Sequence, residues 1–343
     1  MEGIVGMDVH KDNVAVSLID STGAERGMSS VENTEEGHVQ LVRWLGERGP
    51  ILRCGMELSG GIGRGLAREL RAAGHIVVAV PPRLSSREGR RLQRGKSDPI
   101  DALAVARVTL REQDLPPVRL GDSEEDLKLL VDYREQLWRE RTQIANRVHA
   151  DLSIAYPGYQ RSVGRALTSR AALGRVEEVL AADTSTRAEL DRRRIARVHE
   201  LDRELRDVEG RLAVLIQSSG TTLTSIVGVS TITAARILGE VGDVRRFRNA
   251  AAFASANGTA PVPASSGRTE RHRLNRTGNR RLNRALYVIA LTQTQHEPRA
   301  VTYLERKRGE GKTRREAMRC LKRRLSDVVY RQLMEDVSCR LDT

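Results

Sequence analysis

Aromatic residues are scarce. Two Phe, two Trp and six Tyr among 343 residues are too few to build a platform on which the bases of a single strand stack in succession. Lysine is scarce as well: Lys11, Lys96, Lys128, Lys307, Lys312 and Lys322 are the six among 58 basic residues. A GC-rich genome produces the same bias, but its physical consequence stands, because arginine grips phosphate at two points. Cys54, Cys320 and Cys339 are too few and too scattered for a disulfide framework or a zinc site. No apolar run approaches the ~20 residues of a membrane span, and no signal-peptide pattern opens the chain. The expectation is a soluble, cytoplasmic, nucleoid-associated protein with no membrane partner.

Positive charge is abundant. The formal charge is +13 and the isoelectric point about 10.3, which points to a polyanionic partner. The length suffices for more than one core, and the chain divides into three segments.

Residues 1–118 alternate strand and helix. "GIVGMDV" and "NVAVSLIDSTG" read as a hairpin, and "AERGMSSVEN" as a weaker third strand. "TEEGHVQLVRWLGERG" reads as a helix capped by Thr34, with Val39, Leu41, Val42 and Leu45 as its apolar face. A strand "ILRCGMEL" follows, then a helix closed by Gly74, then the strand "HIVVAVPP" stopped by Pro81 and Pro82. "SDPIDALAVARVTLRE" is the last helix, with Ser97 or Asp98 at its cap and Pro99 in its first turn. This order is that of an α/β RNase H-like (RuvC-like) domain.

Residues 119–218 form a long helical connector. Leu127, Leu130, Tyr133, Leu137, Ile144, Val148 and Leu152 recur at helical spacing, and so do Leu190, Ile195, Val198, Leu201, Leu205, Val208, Leu212 and Leu215. Either an antiparallel helical pair or a dimerising coiled coil fits this pattern. Residues 219–343 form a basic, mainly α domain. Its "IVGVSTITAARILGEV" suggests a helix-hairpin-helix-like unit, whose glycine turn presents N–H groups to phosphate. Arg268, Arg271, Arg273, Arg276, Arg280, Arg281 and Arg284 crowd the stretch before an apolar helix and are the candidate nucleic-acid contacts.

Four acids stand at structurally meaningful places. Asp8 ends the first strand and Glu57 the fourth, while Asp98 and Asp101 share one face at the start of the last helix. In a RuvC-like order the ends of the first and fourth strands are adjacent and the last helix crosses them. Carboxylates gathered there repel one another unless a divalent cation sits among them. Taken singly, Asp98 also reads as a helix cap and Asp101 as an acid favoured by the helix dipole.

"GMDVHKD", "CGMELSGG" and "KSDPIDALAVARV" resemble signature segments of the DEDD-type transposases of the insertion sequence 110 family. "YREQLWRERTQIANRVHADL" is similar to that family's linker, and residues 226–286 to its C-terminal transposase domain. The likeness is weakest over 157–186, and "LSGG" stands after Glu57 where many members have a Thr-Gly pair. The resemblance implies a recombinase guided by a bridge RNA that pairs with donor and target DNA. It implies a DEDD set of Asp8, Glu57, Asp98 and Asp101 holding Mg²⁺, two ions by the usual logic of such clusters. It further implies a nucleophilic serine in "PVPASSG", Ser266 or its neighbour Ser265. Carboxylates and serine drawn from different subunits imply a homo-oligomer, dimer or tetramer. Two other readings stay open at this point: a metal-dependent junction nuclease with no serine step, and a non-catalytic RNA- or DNA-binding protein.

Overall fold

The computed structural model describes residues 2–57, 61–91, 97–115, 117–118, 122–164, 167–263, 272–273, 275 and 278–341. It divides into two compact units, Met1–Gly121 and Asp122–Thr343.

The first unit is a five-stranded sheet with helices on both faces. β1 (Gly3–Val9), β2 (Asn13–Ile19) and β3 (Glu25–Glu32) form an antiparallel meander. α1 (Glu35–Gly46), β4 (Ile51–Glu57), α2 (Arg64–Ala72), β5 (Val77–Ala79), α3 (Pro82–Arg91) and α4 (Asp98–Arg111) follow. β4 runs parallel to β1 and β5 parallel to β4, giving the order β3-β2-β1-β4-β5. The first and fourth strands are therefore neighbours, as expected from the sequence. β1 and β2 are buried on both faces and read as near-continuous apolar runs, whereas the edge strand β3 is largely exposed.

Strand alternation sorts the side chains between the two faces. Val5, Met7, Val9, Val14, Val16 and Leu18 pack with Leu41 and Leu45 of α1 and Leu66 and Leu70 of α2. Ile4 and Ile19 pack on the other side with Leu103 and Ala106 of α4. Gly6 and Gly55 belong to that second face, and there α4 comes to backbone contact. A Cβ on Gly6 would lie 2.1 Å from Ala106 N and 2.3 Å from Ala102 O, and one on Gly55 would lie 1.8 Å from Thr109 Oγ1. Glycine at these two positions is what lets α4 lie flat across β1 and β4.

Two details differ from the sequence reading. α3 was not expected, because Pro81–Pro82 reads as a stop. Pro82 instead opens the helix, where a missing N–H leaves no bond unmade. In α1, Thr34 caps as expected, accepting the Gly37 N–H, but the buried face runs through His38, Leu41 and Leu45 and leaves Val39 exposed.

The second unit is helical. α5 (Asp122–Ala155) and α8 (Thr186–Ser218) are joined through α6 (Gln160–Val163) and α7 (Arg170–Leu180). They pack on each other within one chain and run antiparallel. Arg134 meets Glu209 at 2.7 Å, Arg141 meets Asp202 at 2.5 Å and Arg197 meets Glu140 at 3.0 Å. Leu201, Leu205, Val208 and Leu212 are buried as the periodicity implies, but Tyr133 and Leu190 lie on the outside. A 3-10 turn (Leu223–Ser225) leads into α9 (Thr231–Val241), α10 (Ala250–Ala256), the two-residue strands β6 (Val262–Pro263) and β7 (His272–Arg273), α11 (Arg280–His296), α12 (Pro298–Gly309) and α13 (Arg314–Leu341). These helices share one core with the facing ends of α5 and α8, built around Phe253, Leu286, Ile289 and Val329. Among the described residues no helix is long and apolar enough to cross a membrane.

Candidate metal centre

Of the four acids singled out in the sequence, Asp8 and Asp98 come together at one edge of the first unit, with Asp101 and Glu57 beside them. Asp8 and Glu57 are opposite each other in the parallel β1–β4 register. Both have the parity of the glycines under α4, so both belong to the α4 face. α4 runs back across that face with its first turn near the strand ends, bringing Asp98 and Asp101 there. Local pattern thus delivers each acid, and the flat seating of α4 brings its first turn to the ends of β1 and β4.

The tightest part of the site is a three-atom cluster. His10 Nε2 lies 3.0 Å from Asp8 Oδ2 and 3.5 Å from Asp98 Oδ1, and the three groups offer ligand atoms all within 4.8 Å of one another. Asn13, the first residue of β2, donates from Nδ2 to Asp98 Oδ2 at 3.4 Å. The Asp8 carboxyl is 15% exposed and Asp98 is 47% exposed, so the cluster opens to solvent on the Asp98 side. Burial pushes the Asp8 carboxyl above the usual carboxylate range. His10 opposes that shift, and the charges of Asp101 and Asp98 add to it. Asp101 is therefore close enough to be felt by Asp8; its Oδ1 also lies beside Gly89 of α3.

Glu57 stands apart from this cluster. The Ser85 hydroxyl of α3, buried, donates to Glu57 Oε2. The structure thus brings Asp8 and Asp98 to ligand distance, places Asp101 within electrostatic reach, and holds Glu57 alongside through α3. The donor set suits a hard divalent cation: carboxylate oxygens predominate, and their repulsion is relieved by positive charge among them. His10, Asn13 and Ser85 were not anticipated. His10 lies inside the quoted "GMDVHKD", where it reads only as hairpin polarity, and Ser85 lies in the helix that the prolines disguised.

The second group of candidates is only partly within view. Ser265, Ser266, Arg268, Arg271 and Arg276 lie outside the described residues. Arg273 belongs to β7, whose backbone pairs with β6. Arg280 and Arg284 are exposed, one turn apart on α11. Arg281 is engaged elsewhere, bonded to Asp132 Oδ1 at 2.6 Å and Glu240 Oε1 at 3.1 Å. It ties the start of α11 to α5 and α9.

The first unit thus carries carboxylates at the ends of two adjacent parallel strands and on the first turn of the helix that crosses them. Residues 5–157 match a family model for the DEDD group, described as a transposase, and residues 220–305 match the model of the IS116/IS110/IS902 transposase family. The chain belongs to the IS110 family of insertion-sequence transposases. An uncharacterized 44.8 kDa protein of insertion element IS116 from Streptomyces clavuligerus is 26% identical, over 96% of this chain and 94% of that one. An uncharacterized 42 kDa protein of IS900 from Mycobacterium paratuberculosis is 28% identical, over 96% and 95%. The mini-circle putative transposase for IS117 from Streptomyces coelicolor is 28% identical, over 89% and 87%. Among solved structures, Thermus thermophilus RuvC is 14% identical and covers 34% of this chain and 99% of its own, with a TM-score of 0.28.

Proposed function

We propose that this transposase cuts and rejoins DNA at the ends of its element, with Asp8, Glu57, Asp98 and Asp101 holding Mg²⁺ and a serine of the 265–266 pair, Ser266 by preference, as nucleophile. A structured bridge RNA supplies the pairing to donor and target DNA, and a homo-oligomer brings serine and carboxylates together. The observation that carries the reading is the convergence of Asp8 and Asp98, with Asp101 acting on Asp8 and Glu57 level with it across the strand pair. When bound there, a divalent cation neutralises phosphodiester charge and stabilises a leaving oxygen.

The chain's own groups do the rest. Ser85 keeps Glu57 aimed, and Asn13 orients Asp98 by occupying one of its oxygens. The serine oxygen forms a bond to phosphorus while the bond from phosphorus to the departing sugar oxygen breaks. The hydroxyl proton leaves the serine and the sugar oxygen gains one. A phosphoserine conserves the diester for rejoining. Arg280 and Arg284 on α11, and the "VGV" turn before α9 in the manner of a helix-hairpin-helix unit, supply phosphate contacts.

The test is denaturing electrophoresis of labelled donor DNA with protein, guide RNA and Mg²⁺. Wild type gives a slow, protease-sensitive band, and Ser266→Ala loses it while still binding RNA and DNA. If the double variant at 265 and 266 still cuts and leaves free ends, the reaction is hydrolysis and the serine step is absent. Cleavage that persists in Asp8→Asn removes the metal site from the mechanism.

A further inference from the structure

We propose that His10 is itself a ligand in the Asp8–Asp98 centre, making it a mixed nitrogen–oxygen site that holds Mn²⁺ in preference to Mg²⁺. This rests on the metal site proposed above and adds to it a ligand of different chemistry.

The geometry around His10 Nε2 is that of converging ligands. It faces Asp8 Oδ2 at 3.0 Å and Asp98 Oδ1 at 3.5 Å. Adjacent ligands of an octahedral cation with bonds of ~2.1 Å stand about 3.0 Å apart, so these separations need only small adjustment to close on one ion. A proton cannot satisfy the same arrangement. One N–H on Nε2 serves one acceptor, and Asp8 is the nearer. Asn13 occupies Asp98 Oδ2, and Asp98 Oδ1 receives no hydrogen bond among the described residues. A cation would meet all three atoms at once.

The backbone that carries His10 is held for this purpose. Its N–H donates to Asn13 O at 2.8 Å, and its carbonyl accepts from Asn33 Nδ2 at 2.8 Å. Asn33 is fixed in turn by His38 Nε2 at 2.8 Å. Two ends of the residue are thus pinned by the β1–β2 connection and by the segment entering α1. The half-exposed imidazole leaves a solvent path for a hydrated ion. Imidazole nitrogen is a ligand for first-row transition ions, of which Mn²⁺ also takes carboxylate oxygen, whereas Mg²⁺ is bound through oxygen.

The experiment uses the full chain without nucleic acid. Mn²⁺ and Mg²⁺ dissociation constants are measured by calorimetry, and pulsed electron paramagnetic resonance of the Mn²⁺-loaded protein looks for coupling to an imidazole ¹⁴N. Wild type should show that coupling and bind Mn²⁺ the more tightly. His10→Ala should lose the coupling and weaken Mn²⁺ by at least about tenfold, with little change for Mg²⁺. His10 is half exposed, so the variant should keep its circular dichroism and unfolding midpoint. Mn²⁺ that binds in an Asp8-dependent way without ¹⁴N coupling would overturn the His10 ligand and leave the carboxylate site standing. Coupling retained in His10→Ala would place the nitrogen elsewhere and overturn it too. Mn²⁺ affinity unchanged in Asp8→Asn would remove the carboxylate site and this inference together.

Discussion

At the residue scale, two charged groups are held against their own stability. Asp8 is buried beside other acids, and its ionised form is disfavoured in the metal-free protein. Asp8→Asn removes that repulsion, so the metal-free variant should unfold at an equal or higher urea concentration than wild type, while its midpoint no longer rises when Mg²⁺ is added. Lys322 of α13 is buried and bonds to Asn283 Oδ1 at 2.5 Å, with Arg319 adding positive charge. Burial first and Arg319 second lower its proton affinity. The unfolded chain keeps that proton to a higher pH than the folded one does. Unfolding therefore takes up a proton between the depressed folded pKa and the ordinary lysine value, and stability climbs with pH across that window. Lys322→Met should be at least as stable as wild type near neutrality, and its advantage should shrink as pH rises toward about 10. Paired urea titrations at several pH values read this directly.

At the element scale, the seating of α4 decides the site. Gly6 meets backbone atoms of α4, which cannot swing aside as a side chain can. Gly6→Ala should destabilise the first unit by about 1–3 kcal/mol or more and weaken metal binding with it, since Asp98 and Asp101 move with the helix. Gly46, at the end of α1, has nothing within 4 Å of an added Cβ. Gly46→Ala should be neutral or stabilising by up to about 1 kcal/mol, which makes it the control in the same denaturation series. α3 matters through one hydroxyl. Ser85→Ala leaves Glu57 without that donor, and metal affinity should fall by about 10–100-fold with little change in the unfolding midpoint. Equal loss of stability and affinity would instead mark Ser85 as a packing residue.

At the scale of the whole molecule, the +13 charge is not all available to a polyanion. Arg134, Arg141, Arg194, Arg197, Arg236 and Arg281 face carboxylates and knit the helices of the second unit. Arg280 and Arg284 stand exposed on α11. Replacing these two with Ala should lower duplex affinity and flatten the dependence of log K on log salt by up to about two. Arg281→Ala should leave that slope alone and lower stability by about 1 kcal/mol or less, because its guanidinium is partly exposed. An unchanged slope in the double variant would assign α11 to a protein surface.

The sequence by itself determined the strand and helix order of the first unit, α3 excepted, and the positions of its four acids. Period-two alternation places Asp8 and Glu57 on one sheet face, and a three-residue spacing places Asp98 and Asp101 on one helix face. Both are properties of a few consecutive residues. It also carried the family, through short segments in the right order. Tertiary structure alone decided which groups join those acids. His10 and Asn13 reach Asp98 across 88 and 85 positions of chain, and Ser85 reaches Glu57 across 28; no local period encodes such contacts. The same holds for the long helices. Their apolar repeats are equally satisfied by a second copy or by the same chain, and the cross-pairing of Arg134, Arg141 and Arg197 with acids on the facing helix shows them closing on each other. Arginine likewise reads the same in sequence whether it meets phosphate or carboxylate, because the side chain is built to grip either.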